Sequence, residues 1–359
     1  MKKTLLNTVK VGISLALVGY LIWDAMNRGE SAFVKDGRFA PEVLWAVGRH
    51  AAAHWLWLAA AAVACFTAVL LTLVRWYYLV LTLGLPLRFS EALRIGFLGY
   101  MFNLAPFGIV GGDLLKAWLL ARLQHGRRPE AVATVVVDRL VGLYLLFVVA
   151  SAAILLTGFW EIPAPFIQWT CKITLVATAV GTVAVIASLL PDYTQGKSTQ
   201  WLAKIPKVGT PLLKLVHAVH MYRHHLPALG VSALMSVAVH SIFTLSVFLI
   251  AKGMYEDVPA LAMHFVLSPV SAATGVLPIA LGPFEWVLDR LYIYTPTAGG
   301  GSMALGQGLV VAFGYRIATV LTALVGAGYY LTSRREVAEA LHEAEEEPVE
   351  FDPEAVAGT

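Results

Sequence analysis

Apolar runs of about 20 residues, enough to cross a bilayer as helices, recur along the chain. Two are broken by clusters of proline and glycine that end in an acid. The first is NLAPFGIVGGD, Asn103 to Asp113; the second is GVLPIALGPFE, Gly275 to Glu285. In each, a proline stands seven residues before the acid: Pro106 before Asp113, and Pro278 before Glu285. Backbone that leaves the helical ladder in hydrocarbon must be satisfied by protein or by a water-filled cavity. Paired breaks at corresponding places in the two halves of a chain are the pattern of a transporter-type binding site.

Composition supports the membrane reading and excludes a soluble globular domain, with 58% hydrophobic residues, 14% charged residues and a mean hydropathy of +0.72. Cys65 and Cys171 both lie in apolar runs, which suits neither a disulfide framework nor a metal site. The net charge of +3 hides an asymmetry, because nine of the 23 acids sit between Glu336 and Glu354, leaving 14 acids against 26 bases in the rest. That basic excess is spread over loops, which suits anionic lipid surfaces or anionic substrates and not nucleic acid.

The predicted fold is an all-α polytopic membrane protein of six spanning helices plus two oppositely oriented re-entrant helical hairpins in an inverted repeat. Lys2, Lys3 and Lys10 place the N-terminus inside, ahead of a first span at Val11–Trp23 that lacks a clear cleavage site. A short polar segment, 28–49, lies outside. Further spans are expected at His54–Leu83, Ala131–Thr157, Thr170–Leu190, Leu226–Ala251 and Met303–Leu331. The first hairpin, Glu91–Arg122, is basic at both ends and enters from inside, with its tip near Ala105-Pro106-Phe107. The second, within Val258–Tyr292, enters from outside. The repeat halves are 54–157 and 226–331, and a membrane domain of 1–335 precedes an acidic cytoplasmic tail, 336–359, disordered beyond a short helix. Sixteen of the 26 bases fall on inner segments, seven on outer ones and three within the membrane, in line with the positive-inside rule.

The inner loop 191–225 ends in PLLKLVHAVHMYRHH, which reads as an amphipathic helix on the inner leaflet. Its His217, His220 and His224 share a face, but without a carboxylate or cysteine they read as a polar face and not as metal ligands. Arg75, beside Trp76, Tyr77 and Tyr78, reads as a snorkelling interfacial anchor.

Each half supplies an acid on a broken helix and an arginine on the next span: Asp113 with Arg139, and Glu285 with Arg316. Intramembrane ionisable groups are costly and tend to pair or to line a polar cavity. The planar guanidinium fork suits a phosphate, and a helix that begins at mid-membrane turns free N–H groups toward an anion. A competing arrangement pairs Asp138 with Arg139 at the inner interface. No nucleotide loop, metal-spaced set or nucleophile–base motif is present in the sequence, so no catalytic residue, cofactor or metal is expected.

The segments NLAPFGIVGGDLLKAWLLAR, VVVDRLVGLYLL, LPIALGPFE and GYRIATVLTALVGAGYY resemble, in that order, the integral-membrane domain of lysylphosphatidylglycerol synthetases and their stand-alone, flippase-like relatives. The resemblance runs from about Val11 to Leu331. It implies a lipid-translocating fold in a bacterial or archaeal inner membrane, with both termini cytoplasmic. It also places Asn103, Pro106, Gly111, Gly112, Asp113, Arg139, Pro278, Gly282, Glu285 and Arg316 at the family's characteristic positions, here assigned to a substrate or translocation cleft. The synthetases carry a large aminoacyl-transferase domain after this region. Here about 28 residues follow the last span, so the expectation is the translocase part without lysyl transfer. The function expected is movement of an anionic phospholipid or glycolipid between leaflets. The partners expected are those lipids, with a second copy or a lipid-modifying enzyme as candidate protein partners. The alternatives are a membrane scaffold for a glycosyltransferase or lipid synthase, and a lipid-phosphate enzyme holding Mg²⁺ on Asp113 and Asp138.

Overall fold

Five of the apolar runs fold as single helices long and apolar enough to cross a membrane. These are α3 (Trp55–Thr82), α6 (Arg128–Thr157), α7 (Pro165–Leu189), α8 (Leu226–Met254) and α11 (Gln307–Thr332). The remaining helices are α1 (Lys2–Asn27), α2 (Pro41–Ala53), α4 (Phe89–Leu104), α5 (Gly112–Leu123), α9 (Leu261–Ala273), α10 (Pro283–Tyr294) and α12 (Arg334–Glu346). The structure, a computed structural model, describes residues 2–27, 31–35, 38–104, 111–124, 126–189, 215, 218–277, 279 and 281–346. Pro106, Pro278, the expected hairpin tip at 105–107, His217, most of the loop 191–225 and the tail from 347 lie outside them. The chain is a multi-pass, all-α membrane protein.

Small residues decide the central packing. Ala61, Cys65 and Ala68 form one buried face of α3, and α8 buries Ser232, Ser236, Thr244 and Ser246. The Ser246 hydroxyl donates to the Ala61 carbonyl at 2.8 Å. Lipid offers helices no hydrophobic drive toward one another, so close approach of small residues and interhelical hydrogen bonds must hold them. α7 shows the opposite surface, with Ile173, Val176, Val180 and Val183 all exposed. An exposed apolar stripe of that length fits contact with acyl chains.

Two runs of four helices repeat in length: 28, 16, 12 and 30 residues for α3–α6, and 29, 13, 12 and 26 for α8–α11. Their packing is reciprocal. α3 packs on α8, α4 on α11, and α6 on α9. The short helices α4, α5, α9 and α10 are where the sequence places its breaks. α4 and α5 meet backbone to backbone, where a Cβ on Gly112 would lie 1.8 Å from the Gly99 carbonyl oxygen. Gly282 has φ +109°, a left-handed conformation that only glycine adopts freely, and a Cβ there would meet Leu17 of α1 at 2.2 Å.

Several expectations need correction. The polar segment before α3 contains a short hairpin, β1 (Val34–Lys35) against β2 (Arg38–Phe39), and the helix α2. This hairpin also anchors the distant loop before α11, since the Ala32 N–H donates to the Leu305 carbonyl at 2.9 Å. The end of the loop 191–225 does not simply lie on a leaflet, because Ala218 and Tyr222 are buried and the Tyr222 hydroxyl donates to the Leu79 carbonyl at 3.0 Å. The short helix that opens the tail, α12, buries Val337 and Ala340 and offers Glu336 to both terminal nitrogens of Arg94. Outside the helices, the Thr297 hydroxyl and then the Gly299 N–H hold the Asp257 carboxyl below the usual carboxylate range. The tether it makes therefore persists into mildly acidic solution and is lost as pH falls through the depressed value.

The glycines at the α4–α5 contact make a matched test. Gly112→Ala forces backbone apart at a contact that cannot give, and overpacking of this kind costs about 1–3 kcal/mol. Gly111→Ala meets no atom within 4 Å. Thermal unfolding of the purified protein should show a clear drop in Tm for the first and little change for the second.

Candidate functional site

A cavity of about 560 Å³ opens where α3, α4, α5, α6, α8 and the end of α9 converge. That volume lies within the range of small-molecule and cofactor sites. Its apolar lining includes Val69, Leu73, Leu143, Leu146, Val239 and Phe243, and its charged lining consists of Arg75, Asp113, Lys116, Asp138 and Arg139. Among the described residues, three bases therefore face two acids, a formal surplus of +1 with His240 neutral.

The charges sort into two groups by exposure. Arg139 Nη2 donates to Asp113 Oδ1 at 2.7 Å, and its Nε reaches Oδ2 at 2.5 Å. Asn103 Nδ2 donates to Asp113 Oδ1 at 3.2 Å. The side chains of Arg139 and Asp113 are 58% and 37% exposed, respectively, so this pair presents itself to the cavity. Asp113 sits in the first turn of α5, where the positive end of the helix favours a carboxylate.

Beside it lies a largely buried network whose members still border the cavity. Arg75 Nε donates to Asp138 Oδ1 at 2.9 Å, Nη1 to the Ser236 hydroxyl at 2.6 Å and Nη2 to the Asp138 carbonyl at 3.1 Å. Both side chains of this pair are 4% exposed. Lys116 Nζ stands 3.5 Å from Asp138 Oδ2 and 4.0 Å from the centre of the Trp76 ring. The snorkelling reading of Arg75 is thus corrected: it points into the bundle and ties α3 to α6 and α8. The Asp138–Arg139 alternative is corrected too. Adjacent helical residues point about 100° apart, so Asp138 turns to Arg75 and Lys116 while Arg139 turns to Asp113.

The second foreseen pair also forms. Arg316 Nε donates to Glu285 Oε1 at 2.7 Å, and Glu285 Oε2 accepts the Gly282 N–H at 2.7 Å. Glu285 is fully buried and neither it nor Arg316 lines the cavity. The end of α9 reaches the cavity through Ala272, and the second break through Gly275 and Val276, ahead of Pro278. Of the ten foreseen positions, Asn103, Asp113 and Arg139 come together around the open space. Gly112 and Gly282 have packing roles, while Gly111 is the N-cap of α5.

Sequence reasoning missed Arg75 and Lys116 as members of the constellation. The available signal was Lys116 in DLLKAWLL, a cation flanked by apolar residues and three positions from Asp113 on the same helical face. Both carboxylates that a Mg²⁺-holding enzyme would use are already matched to basic side chains. Among the described residues there is no group of three or more potential metal-ligating His, Cys, Asp or Glu.

These features define a helical membrane protein with a charged cavity inside its bundle. The chain belongs to the family described as the lysylphosphatidylglycerol synthase TM region, which it matches over residues 9–326. Membership links it to lipid metabolism or transport in membranes. No curated protein and no solved structure is significantly similar to it.

The two charge groups should respond differently to mutation. Arg75→Met leaves the buried Asp138 carboxylate with only the longer Lys116 contact, and breaking a buried pair costs about 3–5 kcal/mol. Arg139→Ala removes an exposed pair worth about 0–1 kcal/mol. Unfolding of the purified variants should show severe loss of stability for Arg75→Met and near wild-type stability for Arg139→Ala.

Proposed function

We propose that the protein moves an anionic phospholipid or glycolipid between leaflets by alternating exposure of this cavity. The observation that carries the reading is the exposed Asp113–Arg139 pair in a cavity with surplus positive charge and apolar walls. A guanidinium paired with a carboxylate while the site is empty can exchange it for a phosphate, which it binds with the same planar fork. The apolar lining suits the glycerol backbone and upper acyl chains.

In this reading α1 is the sixth span, and α4–α5 and α9–α10 are oppositely oriented re-entrant hairpins. Their arms of 16, 12, 13 and 12 residues are short of the roughly 20 needed to cross a bilayer. The repeated helix lengths and reciprocal packing support an inverted repeat, the architecture in which two halves rock around a fixed site. The basic inner loops support an inner-membrane protein with both termini cytoplasmic. The ion-paired acids favour transport over chemistry on the lipid.

The test is translocation of fluorescent phospholipids and glycolipids by the protein in proteoliposomes. Wild type is expected to accelerate an anionic lipid, and Asp113→Asn and Arg139→Ala are expected to reduce the rate at least tenfold while folding normally. Failure with every lipid, including native extracts, contradicts transport, and a chemically altered lipid would make the protein an enzyme.

A further inference from the structure

The surplus charge has an address. Arg75 has all three guanidinium nitrogens engaged by Asp138 and Ser236, and Arg139 is matched by Asp113. Lys116 remains. Its ammonium carries three donors, yet among the described residues the carboxylate oxygen paired with it stands 3.5 Å away, beyond good hydrogen-bonding distance, with the face of Trp76 beside it and Asp113 acting on it only through its field. Lys116 lines the cavity while its side chain is 6% exposed. It lies one turn along α5 from Asp113, on the side of the helix that also meets Arg139. A buried cation so thinly matched is costly unless an anion completes it.

Resting on the transport reading, we propose that the cavity binds one monoanionic phosphodiester head group between Lys116 and Arg139 and rejects head groups carrying a fixed ammonium. A single negative charge brings the five charged residues to neutrality. A dianionic phosphomonoester overshoots it, and an aminoacylated or choline head group places a cation beside Lys116. When the diester takes Arg139, Asp113 keeps Asn103 and the positive end of α5. Lys116 is thereby a specificity residue, whereas Asp138 and Arg75 position it.

Native mass spectrometry of the full chain with defined lipids reads this directly. The probes are phosphatidylglycerol, phosphatidic acid, phosphatidylcholine, lysylphosphatidylglycerol and the chainless diester glycerophosphoglycerol. Phosphatidylglycerol is expected to bind at least tenfold more tightly than each of the others. Lys116→Met should lose about tenfold for phosphatidylglycerol and nothing for phosphatidylcholine, while Lys116→Arg should retain the preference. The wild-type ranking needs no variant, so it tests the proposal even if Lys116→Met does not fold. Equal binding of all lipids, or a preference that survives Lys116→Met in a folded protein, overturns the charge inference and leaves transport standing. Binding of no lipid at all contradicts the transport reading itself. Tight binding of the chainless diester would make the ligand a soluble phosphodiester, supporting the charge inference while removing the lipid.

Discussion

A carboxylate buried almost completely holds the centre of this bundle together. Asp138 sits on α6, 3% exposed, and draws Arg75 from α3 and Lys116 from α5 toward it. Arg75 extends the link to Ser236 on α8. An ionised group in such surroundings is tolerated only when its partners are close and correctly aimed. The network therefore fixes four helices relative to one another at one level, and the cavity is the space left on its open side. Arg139 follows Asp138 in sequence, so anchoring one carboxylate also aims the next guanidinium into the cavity.

The two halves share element lengths and reciprocal contacts but differ in state. In the first half the acid–arginine pair is exposed; in the second, Glu285 is sealed and spends its second oxygen on the Gly282 amide that starts α10. Under the proposed inverted repeat, that asymmetry fits one end state of an alternating carrier. The small-residue contacts at Gly99–Gly112 and at Gly326, where a Cβ would meet the Phe97 carbonyl oxygen at 2.3 Å, bring these helix backbones into direct contact.

Much of this was legible in the sequence. Apolar runs located the five long helices, because helix length follows from the distance a chain must cover in hydrocarbon. The two acid–arginine pairs were legible because each acid stood alone on a broken helix and each arginine stood inside an apolar span. Arg75 was misread because its neighbours Trp76 and Tyr77 look the same in an interfacial belt as in a packed core, where Trp76 donates to the Thr134 hydroxyl. Lys116 stands in the second arm of a hairpin read as basic at both ends, and only the partner helix reveals that its face turns inward. The β-hairpin at 34–39 was hidden because two-residue strands carry no periodic signal, and the burial of Tyr222 depends on where α3 and α6 happen to leave room.

The central claim is that the charged cavity is the path of the lipid head group. Photo-crosslinking in nanodiscs, with an anionic phospholipid bearing the reactive group on its head and the adducts mapped by mass spectrometry, tests it most directly. The account predicts adducts at Thr72, Asn103 and Leu143, which line the cavity, and their loss when Arg139 is replaced by alanine. Adducts confined to the outer face of α7, at residues such as Val176 and Val180, would contradict it.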